Sequence, residues 1–217
     1  MKLKIIDKLK KQSHKDIALA HDILVDIIYE VFPDAIFHGG TAIWRCYKGS
    51  RFSDDIDIYL TKDDSKRIEF FKEKLKQKKV EILKFKSTGN VVYSKLRLNQ
   101  KEIRFEASFL DIKGKKPIIK PYETIEGNYI NVFTFSAEDL IIEKVDTYLS
   151  RFLVRDIYDI YILLNQAEEI KKIDSSLKKL ISNFKNPVDE NILPSLVFIG
   201  AVPIVKQMME YIKRWAK

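Results

Sequence analysis

Apolar positions recur at helical spacing over residues 14–31, where Ala18, Ile23, Leu24, Ile27, Ile28 and Val31 form a stripe that Pro33 ends. A short strand is expected at 35–37, closed by Gly39 and Gly40, and a short helix at 41–48, closed by Gly49. Strict alternation in "DIDIYL" predicts a strand over 55–60, with Ser53 and Asp54 leading into it. Residues 63–79 read as a charged amphipathic helix with Ile68, Phe71 and Leu75 inward. Further strands are expected over 80–85, 90–98, 101–112 and 128–135, with turns at Gly89-Asn90 and Asn99-Gln100.

The pattern changes at Ser136. "SAED" carries a capping box with Asp139 in the place of the usual Glu or Gln, and the chain is helical by period from there on, with interruptions near Pro187, Pro194 and Pro203. The fold class expected is α+β: a mixed β-sheet with flanking helices, then a C-terminal helical bundle. The domain boundaries expected are 1–135 for the α/β part and 136–217 for the helical part. There is no internal repeat and no low-complexity linker.

Asp55 and Asp57 break the apolar logic of the strand that carries them. Side chains two apart on a strand share a face, and two carboxylates on one face repel unless a cation lies between them. Oxygen-only ligation by Asp suits Mg²⁺ or Mn²⁺. Asp54 points the other way and reads as a turn or cap residue. A third acid is expected from another strand. Glu106, between Phe105 and Ala107, is the first candidate, and Glu102 and Asp111 are weaker ones. Three acids could hold two metals.

The diglycine then suggests a phosphate cradle. Glycine lets the backbone approach an anion closely, and a helix opening at Thr41 would offer N–H groups, a favourable dipole and a hydroxyl. Arg45, Lys48 and Arg51 add positive charge between the glycines and the acids. His38, beside the diglycine, reads equally as a phosphate contact or as a structural hydrogen bond to backbone. In the helical part, read as one helix over 137–164, Lys144, Arg151 and Arg155 fall within about 40° of one another. Tyr148 joins that face and Leu149, Leu153, Ile157, Ile160 and Leu164 form the opposite one. Such cations could clamp phosphates, with Asp156 and Asp159 orienting Arg151 or Arg155. A break near Ser150 would void these angles.

Composition narrows the partners. The 217 residues are 46% hydrophobic and 32% charged, with a net charge of +8, which fits a soluble globular protein with a polyanionic partner. From residue 171 on, nine Lys or Arg outnumber four Asp or Glu. The single cysteine, Cys46, excludes an intramolecular disulfide and a thiolate zinc cluster. The charged first residues do not read as a signal peptide, and no run of about 18 apolar residues suggests a membrane span. A cytoplasmic location is expected.

The stretch "HGGTAIWRCYKGSRFSDDIDIYL" closely resembles the first motif of the polymerase-β-like nucleotidyltransferase superfamily, and more narrowly that of the AbiEii/AbiGii-type toxin nucleotidyltransferases. Gly39, Gly40 and Thr41 match its Gly-Gly-Thr turn, and Arg51 to Asp57 match its "RFS(D/E)D(I/L)D". Lys144 resembles the family's later Lys, "RDIYD" at 155–159 its "RDxYD" signature, and Glu106 its third acid. The resemblance covers about residues 35–165. It implies nucleoside triphosphate (NTP) binding, with Mg²⁺ (or Mn²⁺) on Asp55 and Asp57 and with Glu106 as a further ligand or as the base. Lys144 would be a catalytic contact to nucleotide or phosphate. Gly39, Gly40, Thr41, Arg51, Ser53, Arg151, Arg155 and Asp156 make up the expected phosphate-binding set. The implied reaction transfers a nucleoside monophosphate to an acceptor, tRNA 3′ ends in some members, in a toxin paired with an antitoxin. A protein or small-molecule acceptor, or a non-catalytic nucleotide-binding module, are the other readings.

Overall fold

The computed structural model describes residues 3–60, 65–109 and 115–216. Its elements run α1 (Ile5–Lys8), α2 (Gln12–Val31), β1 (Ile36–His38), α3 (Gly39–Cys46), β2 (Asp55–Leu60), α4 (Ser65–Gln77), β3 (Glu81–Ser87), β4 (Val91–Leu98) and β5 (Lys101–Phe109). There follow β6 (Ile118–Glu123), β7 (Tyr129–Thr134), α5 (Ala137–Arg151), α6 (Val154–Leu163), α7 (Ile170–Ser182), α8 (Leu193–Leu196) and α9 (Val205–Trp215). The fold is α+β, as the sequence pattern implies. The seven strands form one mixed sheet in the order β3-β4-β5-β2-β1-β7-β6.

Parallel pairing of β2 with β5, and of β1 with β7, places the centre of the sheet where both faces are used. On β2 the alternation works as read: Ile56, Ile58 and Leu60 enter the core while Asp55, Asp57 and Tyr59 take the other face. Helices α2 and α4 pack together against β5 and β3, and α3 packs on β1, β2 and β6. One contiguous apolar cluster extends from Ala20 on α2 to Ile212 on α9, so residues on both sides of position 135 share a core. Ser136 caps α5 as expected, accepting from the Asp139 N–H at 3.2 Å.

Several expectations are corrected. The diglycine does not precede a helix but forms the first turn of α3. β6 was not expected, because Pro121 interrupts its "IIKPYE"; it lies at a sheet edge, where a residue without an N–H is tolerated. The helix expected over 137–164 is two helices. Phe152 adopts a left-handed conformation (φ 51°, ψ 47°) and ends α5. The Asp189 carboxylate then accepts from the Val154 N–H at 2.7 Å and starts α6. Tyr148, placed by the one-helix reading beside the cations, is instead fully buried and donates to the Lys185 carbonyl. Cys46 is buried as expected, and burial pushes its thiol up to about 12. No helix among the described residues is long and apolar enough to cross a membrane.

Candidate active site

A cavity of about 560 Å³ opens between the outer face of β2 and β5 and the α5–α6 corner. That volume suits a small-molecule ligand. Its floor begins with the two glycines. Gly39 has φ +70°, and a Cβ there would collide with the Asp57 carboxylate. A Cβ on Gly40 would lie 2.5 Å from Arg51 Nη2 and 2.6 Å from Ser53 Oγ. The glycines therefore let the first turn of α3 close on β2 and on the loop at Arg51 and Ser53, in addition to whatever anion they meet. Gly39→Ala is expected to cost about 1–3 kcal/mol, because it adds left-handed strain to the steric clash. Gly40→Ala, at an ordinary φ, adds no backbone strain to its clash with Arg51 and Ser53 and is expected to cost less; urea unfolding of both variants measures the difference.

The loop from Ser50 to Ser53 is held from three sides. The Phe52 N–H donates to the Leu196 carbonyl at 2.9 Å and the Phe198 N–H to the Ser50 carbonyl at 3.0 Å, so that Arg51 forms a β-bridge with Val197. Phe52 also stacks on His14 at 3.9 Å between ring centroids and packs on Trp44. Thr41 is fully buried and donates its hydroxyl to the Asp55 carbonyl, which ties the start of α3 to the start of β2.

The acids lie along the parallel β2–β5 register. Asp57 is the partner of Glu106, and Asp55 the partner of Arg104. Since cross-strand partners share a face, all four side chains emerge on the cavity side, opposite Ile103, Phe105 and Ala107. Burial, then the charges of Asp55 and Glu106, raise the Asp57 carboxyl to about 6. Burial and Asp54 also raise Asp55, against the pull of Arg104. Arg104 grips Asp55 with two parallel hydrogen bonds of 2.7 Å. Among the described residues no group of three His, Cys, Asp or Glu side chains stands in a metal-ligating arrangement. Glu102 turns to Lys95 and Arg97 instead of the cavity, and Asp111 lies outside the described residues.

The opposite wall is cationic and braced from behind. Arg51 donates to both Asp159 oxygens at 2.9 and 2.8 Å. Lys144 Nζ lies 2.7 Å from Asp159 Oδ2 and 3.3 Å from Asp156 Oδ1. Arg151 completes the set with two 2.8 Å hydrogen bonds to Asp156. Burial works against the Asp159 charge, but Arg51 and then Lys144 outweigh it and hold the carboxyl below its usual range. Three cations thus share two buried carboxylates, leaving one excess positive charge at the cavity wall. Arg155 lines the cavity too, and its buried Nε has no hydrogen-bond partner among the described residues.

Of the residues expected from the sequence, Gly39, Gly40, Arg51, Ser53, Asp55, Asp57, Glu106, Lys144, Arg151 and Arg155 all line this cavity. Thr41 and Asp156 do not; they hold the backbone of β2 and the cations in place. His38, which the sequence left open between a phosphate contact and a structural role, lines the cavity too, while sequence reasoning passed over Tyr59, Arg104, Leu140, Glu143, Asp146 and Thr147. His38 and Tyr59 stack at 3.7 Å with their rings 5° from parallel, and burial, then Lys144, lowers His38 to about 3 so that it is neutral. Arg104 and Tyr59 carry the same strand parity that singled out Glu106 and Asp57, so the signal for them was present. Glu143, on α5 beside Lys144, pairs with Lys115 at 2.6 Å; helical periodicity alone does not single it out.

The site therefore sets a carboxylate wall against a guanidinium and ammonium wall across a nucleotide-sized gap. Three solved structures share the fold. A putative nucleotidyltransferase from Helicobacter pylori has TM-score 0.60 and 20% identity, over 92% of each chain. JHP933 from Helicobacter pylori has TM-score 0.60 and 19% identity, over 92% of this chain and 90% of that one. MenT4, a nucleotidyltransferase toxin from Mycobacterium tuberculosis H37Rv, has TM-score 0.61 and 15% identity, over 95% of this chain and 89% of that one. No curated protein matches by sequence. The family described as nucleotidyl transferase AbiEii toxin of type IV toxin–antitoxin systems matches residues 22–204, most of the length, and the chain belongs to that family.

Proposed function

We propose that this nucleotidyltransferase toxin moves a nucleoside monophosphate from an NTP to the 3′ end of an RNA, with tRNA the first candidate, and that it needs Mg²⁺ or Mn²⁺ to do so. The observation that carries the reading is the register placing Asp57 beside Glu106, facing the wall that holds Lys144 and Arg155. In the reaction the acceptor 3′ oxygen forms a bond to the α-phosphorus, the bond from that phosphorus to the bridging oxygen breaks, and pyrophosphate leaves.

Asp55 and Asp57, with Glu106 near, have the donor chemistry for a divalent ion. The repulsion that raises Asp57 is what such an ion relieves. When bound, the ion neutralises triphosphate charge and favours the ionised acceptor hydroxyl. Glu106, exposed at the cavity mouth, can accept the hydroxyl proton. Lys144 and Arg155 meet the charge that develops on the phosphates, and the Asp156–Asp159 pair keeps Lys144 aimed. Arg51, Ser53 and the α3 N-terminus shape the triphosphate end.

Arg104 must release Asp55 before an ion can use it. Arg104→Ala is expected to bind Mn²⁺ about 5-fold more tightly in the absence of nucleotide, since a half-exposed ion pair contributes about 1 kcal/mol; titration calorimetry measures this without any turnover. The function itself is tested by incubating the protein with each labelled NTP, total RNA and total protein. Label in the RNA fraction, lost on chelation, is the expected result. Label in the protein fraction overturns the RNA acceptor. Release of pyrophosphate into no acceptor at all overturns transfer. As a type IV system toxin the protein has a cognate antitoxin.

A further inference from the structure

The outer face of β3, β4 and β5 continues the catalytic face, and its charges are sorted. Two cross-strand rows leave the acids. One runs Asp57, Glu106, Tyr93, Lys86 and the other Asp55, Arg104, Lys95, Lys84. Their neighbours in sequence, Val92, Ser94, Leu96, Phe105 and Ala107, point the opposite way into the core under α2 and α4. Lys84 and Lys86 are exposed on edge strand β3, and the Lys84 ammonium lies 5.7 Å from the Tyr93 ring centroid. Lys95 is paired with Glu102, and Arg97 with Glu81 and Glu102. The negative end of the face is therefore at the cavity, and the positive end, without a carboxylate partner among the described residues, is at the sheet edge. At 4.7–4.9 Å per strand step, Lys86 lies about 14 Å from Asp57 along its row.

We propose that this face is the track for the acceptor strand, a single-stranded RNA 3′ end lying across β5, β4 and β3. The inference rests on the RNA reading above. A 3′ hydroxyl must reach the carboxylates, but the phosphates upstream of it are repelled by them. A strand running from Glu106 toward Lys84 and Lys86 satisfies both requirements. Tyr93, next to Glu106, offers a ring on which a base can stack, and an ammonium beside an aromatic plane is the usual pairing in single-strand sites. The contacts are to phosphate and ring face, so the track is tolerant of sequence. Lysines on an edge strand also discourage strand pairing between molecules; if that were their whole role, reversing them would leave RNA affinity unchanged.

The test uses a twelve-nucleotide RNA with a 5′ fluorophore and a free 3′ hydroxyl, titrated by fluorescence anisotropy between 50 and 200 mM salt. Lys84→Glu/Lys86→Glu is expected to weaken binding and to flatten the slope of log affinity against log salt by about 1.4, two contacts at about 0.7 each. Tyr93→Ala is expected to weaken binding about 5- to 150-fold with the slope unchanged. Lys206→Glu/Lys213→Glu on α9 is expected to match wild type. If both track variants bind as wild type does, the track is wrong while RNA remains the acceptor. If the variants on α9 alone lose affinity, the acceptor lies along the helical part and the track is again overturned. If wild type binds no RNA and labels protein, the track and the RNA reading fall together, leaving nucleotidyl transfer standing.

Discussion

Asp57→Asn is expected to abolish transfer and, in chelator, to make the protein more stable. Both effects come from one carboxylate. Its charge is crowded by burial, Asp55 and Glu106, which is why its carboxyl is raised to about 6. An amide of the same shape removes the repulsion, and a gain of about 1–2 kcal/mol corresponds to a melting temperature higher by about 2–8 °C for a chain of this size. The same amide cannot supply the charge that an ion requires, and a loss on the order of 10³-fold in rate is expected. Thermal melts with and without magnesium and NTP separate the two effects. Wild type should be stabilised by the ligands, and the variant should not. A variant that still arrests growth would show that toxicity does not come from transfer. A variant that melts lower than wild type in chelator would show that the acids are not in conflict in the folded protein.

Asp159→Ala is expected to be the most damaging single change outside the acids. Asp159 holds both Arg51 and Lys144, and it is almost completely buried. Removing one partner of a buried ion pair leaves charge without compensation and costs about 3–5 kcal/mol, which lowers the melting temperature by about 6–20 °C. The change also lets go of the loop that Gly40 packs against and of the lysine aimed at the phosphates, so NTP affinity should fall with stability. The acid limb should respond as well. Asp159 has a depressed native carboxyl, so its stabilisation is complete above the unfolded value of about 3.9 and is lost as pH falls through the lower native value. Below that pH the stabilities of wild type and Asp159→Asn are expected to converge. Equal stabilities at neutral pH would mean that the network does not hold the loop.

Local pattern and three-dimensional pairing contributed differently to these readings. Strand parity on "DIDIYL" and "IRFEASF" was enough to place Asp55, Asp57 and Glu106 on outward faces, because alternation is a property of the local backbone. That β2 and β5 are parallel neighbours, with Asp57 level with Glu106, is a long-range pairing that no local pattern encodes. Arg104 shows the same limit: its parity was readable, but its grip on Asp55 depends on the register. The α5–α6 corner was legible only as a possible break near Ser150, because the residues there, "SRFLVRD", contain neither Gly nor Pro. A phenylalanine in left-handed conformation, packed on Tyr148 and followed by a cap from distant Asp189, made the turn instead. β6 was hidden by its proline. Thr41 and Asp156 were recognised as important, but their hydrogen bonds serve the scaffold around the cavity.

The bridge between Arg51 and Val197 has a consequence for biosynthesis. Arg51 is translated 146 residues before Val197, the partner that pins its loop. A nascent toxin still threaded in the ribosome would have its acids and glycines outside the exit tunnel while that clasp remained inside. The loop would stay unpinned until Val197 had emerged, an interval in which freshly made antitoxin can arrive first.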